Sequence, residues 1–467
     1  MRMGRFTWFA LPCLLGVVAC GAGGAGTVVR KDASAGTGGV VATGGNSGSG
    51  GSPDTGGIKA TGGVTSTGGI LNTGGNANTG GSKNTGGTIS TGGVAATGGA
   101  PITGGVKIDG GLLDAVGVTP TGGILGSGGA PGTGGIADAG AGGTTEGSGP
   151  CDIYGAGNTP CVAAHSTVRA LYGAYNGNLY QVRRASDKTT KDIAVLTAGG
   201  FANAATQDTF CASTTCTISI IYDQSPKGNH LAVTPPGGWL ASGGTEAKAA
   251  AAKIKVNGHS VYGVYTTGSF DEAVGGVGYR NNKTSGVAVG DEAEGIFMVV
   301  GGKHFNQWCC FDYGNAETNN KDNGPATMET LYFGSSTQWG RGSGTGPWIM
   351  ADLEDGVYAG QSFAAPATNT SLTSDYVTGM LKGKPGNYFT LKGGDAQAGA
   401  MKTMYAGPRP TGYSPMKKEG AIILGVGGDN SHTGEGTFFE GCLTTGYPSD
   451  ATEDAVQANV VAAGYGR

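Results

Sequence analysis

After residue 150 the apolar positions fall into short runs of Val, Ile, Tyr, Phe and Thr, among them 217–222, 296–300, 421–426 and 437–439. Clusters of Gly, Asn and Asp separate the runs, and that punctuation predicts strands joined by turns. Many short strands at this spacing suggest an all-β sandwich or jelly roll. One longer helix is predicted over 450–463, with Asp450 as its cap. At the other end, Arg2 and Arg5 precede an apolar run over 6–19 that is too short for a permanent membrane helix and fits a signal-peptide core.

Between these regions the pattern is neither helical nor extended. Residues 21–149 contain no Phe, Tyr, Trp or Cys, so the segment cannot offset its ordering entropy by burial. From Thr37 to Thr133 a Thr-Gly-Gly triplet recurs every six residues, with Ser49, Asp109 and Ser127 replacing Thr and one lapse near Ala115. A β-helix would need an aliphatic residue after each Gly-Gly, yet only some repeats have one (Val40, Ile58, Val64, Ile70) and others have a polar residue (Asn46, Ser52, Asn76). The repeat is therefore expected to be a flexible stalk reaching on the order of 60 Å. Residues 1–19 are assigned to a signal peptide, 20–149 to the linker and 150–467 to one folded head. The signal ends Val17-Val18-Ala19-Cys20, a lipoprotein pattern, so Cys20 is expected to carry lipid after cleavage and anchor an exported protein to a membrane; plain secretion is the alternative.

The chain has 97 Gly, 13% charged residues and a net charge of -4. With no basic run beyond the leader, nucleic acid is not an expected partner. Seven of the nine cysteines lie in the head, where an exported protein is expected to pair them. Cys151 with Cys161, and Cys211 with Cys216, are close enough to close short loops, although sequence alone leaves the connectivity open. The adjacent Cys309 and Cys310 either form a strained eight-membered ring, a feature of ligand sites, or remain thiols or pair elsewhere, for example with Cys442. A zinc site with His304 is disfavoured for want of a second Cys/His pair at ligand spacing.

In the run from Trp348 to Gly356, a period of two puts Trp348, Met350, Asp352 and Glu354 on one face and Ile349, Ala351 and Leu353 on the other. Carboxylates beside an aromatic suit a sugar-cleaving groove, but they also suit a solvated strand end. A further acid, Asp429, closes the apolar strand that starts at Ala421, where desolvation would raise its pKa as a general acid requires. A rival reading places Asp429, Ser431, Thr433, Gly434 and Glu440 in an EF-hand-like calcium loop; it lacks carboxylates at two ligand positions and helices on its flanks.

These residues resemble the α-L-arabinofuranosidase B family, glycoside hydrolase family 54. The likeness runs through CDIYGAGNTPCVAAHSTVRALY from Cys151, QDTFCASTTC, IIYDQSPKGNHL, GYRNN, GDEAEG, CCFDYGNAET, GPWIMADLED, EGAIILGVGGDNS and EGCLTTGYPSD. The resemblance implies a concanavalin-like β-sandwich of jelly-roll type. It implies a retaining, exo-acting enzyme that takes terminal arabinofuranose from arabinoxylan, arabinan or oligosaccharides, with no cofactor and no metal. It places the nucleophile on Glu354, ionised and held by donors, and the acid/base on Asp429. Cys309, Cys310, Trp339, Asp352, Asp355 and Gly428 match the sugar pocket, and the implied bridges are Cys151–Cys161, Cys211–Cys216 and Cys309–Cys310. Asp355 stands where an amide occurs in the family, and Cys442 is left without a partner. A monomer is expected. The alternative function is that of a surface-tethered carbohydrate-binding protein without catalysis.

Overall fold

The computed structural model describes residues 147–467. The leader, Cys20 and the hexapeptide repeat lie outside the described residues. The described chain forms two antiparallel sheets. One has eight strands, in the order Lys402–Gly407, Tyr388–Asp395, Tyr376–Lys384, Glu294–Phe305, Gly436–Thr445, His259–Thr266 and Ala252–Val256, with Cys161–Ser166 also paired to Gly436–Thr445. The other has ten, in the order Val357–Tyr358, Trp348–Asp352, Glu329–Gly334, Asp312–Ala316, Ala421–Leu424, Tyr279–Asn281, Leu231–Val233, Cys216–Ile221, Asn178–Arg184 and Thr190–Ala194. Each of the four apolar runs singled out in the sequence overlaps one of these strands.

Side-chain alternation assigns the faces. On Gly436–Thr445, Phe438 meets Tyr313 of the other sheet at 4.9 Å between ring centroids, while its neighbour Phe439 turns outward to Tyr376 at 5.6 Å. On Trp348–Asp352, Ile349 and Ala351 join the core between the sheets, and Trp348 and Met350 join a separate outer cluster with Cys310, Tyr332, Val357 and Ala359. Full burial of residues such as Ile349, Leu331 and Phe333 contributes roughly 1.5–3 kcal/mol each. That core fixes the ten-stranded sheet so that its outer face can carry polar groups.

The helix Asp450–Ala463 is capped by Ser449 and not by Asp450. The Ser449 hydroxyl accepts from the Thr452 N–H at 3.1 Å, which moves Asp450 into the first turn, where it pairs with Lys382 and Lys392 at 2.8 and 2.7 Å. Two shorter helices, Pro150–Ala156 and Ala204–Phe210, carry no apolar period long enough to be seen in the sequence. A disulfide ties each helix to the next strand in the chain or close to it, Cys151 to Cys161 and Cys211 to Cys216. Cys442 is a buried free thiol whose sulfur lies within 4.8 Å of those of Cys151 and Cys161.

Candidate active site

The strand Trp348–Asp352 stops two residues before Glu354, so Glu354 does not share the strand face as the period-two reading had it. Glu354 and Asp355 instead form a turn with φ of 63° and 55°, a left-handed backbone that non-glycine residues adopt at a cost of order 1–3 kcal/mol each. The turn is held by the Glu354 N–H donating to Asp352 Oδ1 at 3.1 Å and by Leu353 N–H donating to the Gly356 carbonyl at 3.1 Å. It swings the Glu354 carboxyl toward the loop after Ala421–Leu424, while Asp355 is left exposed beside Asp322, and both burial and that neighbour raise its carboxyl pKa.

Cys309 and Cys310 are bonded to each other. Asp352 Oδ2 lies 3.6 Å from the Cys309 sulfur and 3.2 Å from that of Cys310. Sulfurs joined in a disulfide carry no thiolate charge, so this close trio lacks the anionic donors of a soft-metal site. Trp339 packs against the same cluster. The loop bearing Asp429 is stitched to the disulfide: Thr433 donates its N–H and its hydroxyl to the Cys309 carbonyl at 3.0 and 2.7 Å, and the Ser431 N–H donates to Asp429 Oδ1 at 2.8 Å. On the other side the Trp239 N–H donates to the Asp429 carbonyl at 2.9 Å. The calcium reading fails here, because Glu440 sits buried on Gly436–Thr445 and is bound to Arg169 at 2.7 Å. His304 stacks on Tyr265 at 3.9 Å with its Nδ1 against Thr437, apart from the cysteines.

The electrostatics of the cluster reverse one expectation. Glu354, only 6% exposed, faces carboxyls instead of donors, and burial followed by Glu317, Asp352 and Asp429 pushes it up to about 12. Burial carries Asp352 to about 7 against the pull of the Glu354 N–H, and raises Asp312 well above the usual carboxylate range with Asp352 beside it. Asp429 is also raised by burial, partly held back by its bonds from Ser431. Like charges this close cannot all ionise, so the cluster retains protons at neutral pH.

Several groups here were not given roles by sequence reasoning. Arg280 donates to the carbonyls of Gly428 at 2.7 Å and Glu317, and to Asn430 Oδ1 at 3.1 Å, and so clamps two acidic segments together. Glu317 and Asp312 are buried acids in and just after the strand Asp312–Ala316. An acid in an otherwise apolar run was the available signal. The exposed Trp239 and Trp308 flank Asp429 and Cys309, the latter with Phe270 edge-on at 5.3 Å. Nothing in their local sequence distinguishes them from loop residues.

Carboxyls clustered over an apolar floor, on the outer face of a β-sandwich, define a carbohydrate-active protein. The family model described as "Alpha-L-arabinofuranosidase B, catalytic" matches residues 150–466, and the chain belongs to that family. It is 56% identical over 324 residues to a "Probable alpha-L-arabinofuranosidase B" of Aspergillus flavus, covering 68% of this chain and 62% of that protein. It is also 56% identical over 331 residues to an "Arabinofuranosidase/B-xylosidase" of Trichoderma koningii, covering 70% and 64%. The chain thus spans less than two thirds of the length of these relatives. Among solved structures, a "GH54 a-l-arabinofuranosidase soaked with cyclic sulfate inhibitor" superposes with a TM-score of 0.65 at 52% identity, covering 68% of this chain and 66% of that one. An arabinofuranosidase "complexed with arabinofuranosyl-alpha-1,2-xylobiose" gives 0.65 at 51% identity, covering 68% and 65%.

Proposed function

We propose that the chain is a retaining, exo-acting α-L-arabinofuranosidase acting on arabinoxylan, arabinan or arabino-oligosaccharides. The observation that carries this reading is the meeting of Glu354 with the Asp429 loop: Glu354 Oε2 comes within 2.8 Å of where a Cβ on Gly428 would stand, and Asp429 is the next residue. Glu354 is the nucleophile, attacking the anomeric carbon, and Asp429 gives its proton to the departing oxygen. Asp429 then takes a proton from water, whose oxygen attacks the same carbon and releases Glu354. The Cys309–Cys310 disulfide and Trp339 supply the apolar floor for the sugar ring, Asp352 accepts from or donates to its hydroxyls, Gly428 offers backbone, and Asp355 stands at the mouth. Nucleophile and acid are both side chains, so the reaction calls for no cofactor. Binding of a sugar with developing positive charge favours ionised Glu354, against the carboxyls that hold it neutral in the free cluster.

In this reading residues 150–467 are the catalytic unit. The protein is exported, 20–149 serve as a tether, Cys20 carries lipid that holds a monomeric enzyme on a membrane, and the partners are arabinose-containing plant glycans.

Release of p-nitrophenol from p-nitrophenyl α-L-arabinofuranoside tests the activity; a carbohydrate-binding protein without catalysis would bind and release nothing. Glu354→Gln is expected to abolish turnover on every substrate. Asp429→Asn is expected to cost about 10²–10⁴-fold on alkyl or sugar leaving groups and far less on the activated aryl one, which departs without protonation. Equal losses on all leaving groups, or carboxyls more than roughly 9 Å apart in a sugar complex, would overturn the two roles.

A further inference from the structure

A glycine separates two acids at the centre of this site. Glu317 is 0% exposed. Its Oε1 accepts from the Thr327 hydroxyl at 2.5 Å, whereas its Oε2 has no other hydrogen-bond partner among the described residues. That oxygen and Glu354 Oε2 approach Gly428 together, since a Cβ at Gly428 would overlap the first and lie 2.8 Å from the second. Arg280 fixes the arrangement by donating to the backbone carbonyls of both Glu317 and Gly428; burial raises the Glu317 carboxyl pKa, and the Arg280 charge and a hydrogen bond from Glu354 pull it back. The other charged groups acting on Glu354 are Asp352, Asp429 and Asp322, all acidic. Two carboxyls meeting in such a place cannot both be anions, but they can share one proton, and an orphaned buried oxygen facing a carboxylate is satisfied only that way.

We infer that Glu317 is a positioning residue: the proton the pair shares rests on Glu354 in the free site and passes to Glu317 as the sugar binds, so that Glu317 then donates a hydrogen bond to ionised Glu354. This rests on Glu354 being the nucleophile. Once the pair has lost its other proton, that transfer leaves Glu354 ionised and Glu317 neutral. When Glu354 forms its bond to the sugar, the proton stays on Glu317 and the hydrogen bond passes to the remaining oxygen of the ester, so no further proton moves.

The test uses the full chain and the aryl arabinofuranoside. Glu317→Gln keeps a donor and is expected to lower kcat/KM by about tenfold or less. Glu317→Leu removes it and is expected to lower kcat/KM by about a hundredfold or more and to move the acid limb of the pH profile upward by about one unit, as Glu354 must then ionise unaided. If both variants lose activity equally, or neither moves the acid limb, the inference is overturned. Should Glu317→Leu lose its cooperative melt, Glu317→Gln decides alone, and a loss beyond about a hundredfold counts against it. A wild type without turnover overturns the arabinofuranosidase reading as well, whereas an active wild type with these outcomes overturns only the role of Glu317.

Discussion

Asp352 is where burial and chemistry conflict most directly. Its carboxyl is 5% exposed and touches a disulfide, and burial raises its pKa to about 7, with Asp429 and Glu317 adding to the rise and the bonds from the Glu354 N–H and Asp312 opposing it. A carboxyl whose folded-state pKa exceeds its unfolded value near 3.9 contributes stability that is fully present below that value and is lost as pH rises through the folded pKa. The melting temperature is therefore expected to fall as pH rises from about 4 to about 8. Asp352→Asn mimics the neutral acid and should flatten that fall, which differential scanning calorimetry across the range would show. An unchanged slope in the variant would mean that Asp352 is ionised in the folded protein.

At the scale of elements, the site is built by two turns, 353–356 and 427–430, that follow strands separated by two others in the ten-stranded sheet, and Gly428 is where they touch. A methyl group there would overlap Glu317 and press on Glu354. Gly428→Ala is expected to lower kcat by about a hundredfold or more while shifting the melting temperature by only a few degrees, because the change displaces two side chains and leaves the core between the sheets intact. A large loss of melting temperature with kcat preserved would contradict this. The same elements show what was legible beforehand. The strands were visible because Ile349, Ala351 and the apolar run from Ala421 announce a half-buried face. The two acids were visible because they end those runs, although the left-handed turn at Glu354 was not, since φ at one residue is set by what surrounds it. Arg280, Glu317 and Asp312 became meaningful only in three dimensions, where carbonyls and carboxyls distant in sequence converge on them. The cap at Ser449 was missed because both Ser449 and Asp450 are good capping residues and only geometry chooses between them.

For the whole molecule, the question is where the self-sufficient unit starts. The sandwich gathers in the segment preceding its first strand through long-range bonds: Asn459 donates to the Ser148 carbonyl at 2.7 Å, the Asp152 carboxylate accepts from Gly149 and Gly173 N–H at 2.8 and 2.6 Å, and Cys151 is bonded to Cys161. These contacts join residues up to 311 positions apart, so the helix Pro150–Ala156 is part of the fold and not of a tether. A chain beginning at Gly147 is expected to match the full chain in melting temperature and, within about twofold, in kcat/KM on a soluble aryl arabinofuranoside. One beginning at Asp152 loses the disulfide as well as the Ser148 and Gly149 bonds. A bridge spanning 10 residues is worth about 2–4 kcal/mol, so that shorter chain should melt several degrees lower while keeping its KM, because none of these groups touches the carboxyl cluster. Parallel thermal melts and kinetics on the three chains check this. Loss of activity or of cooperative melting in the chain from Gly147 would show that residues before it belong to the catalytic unit.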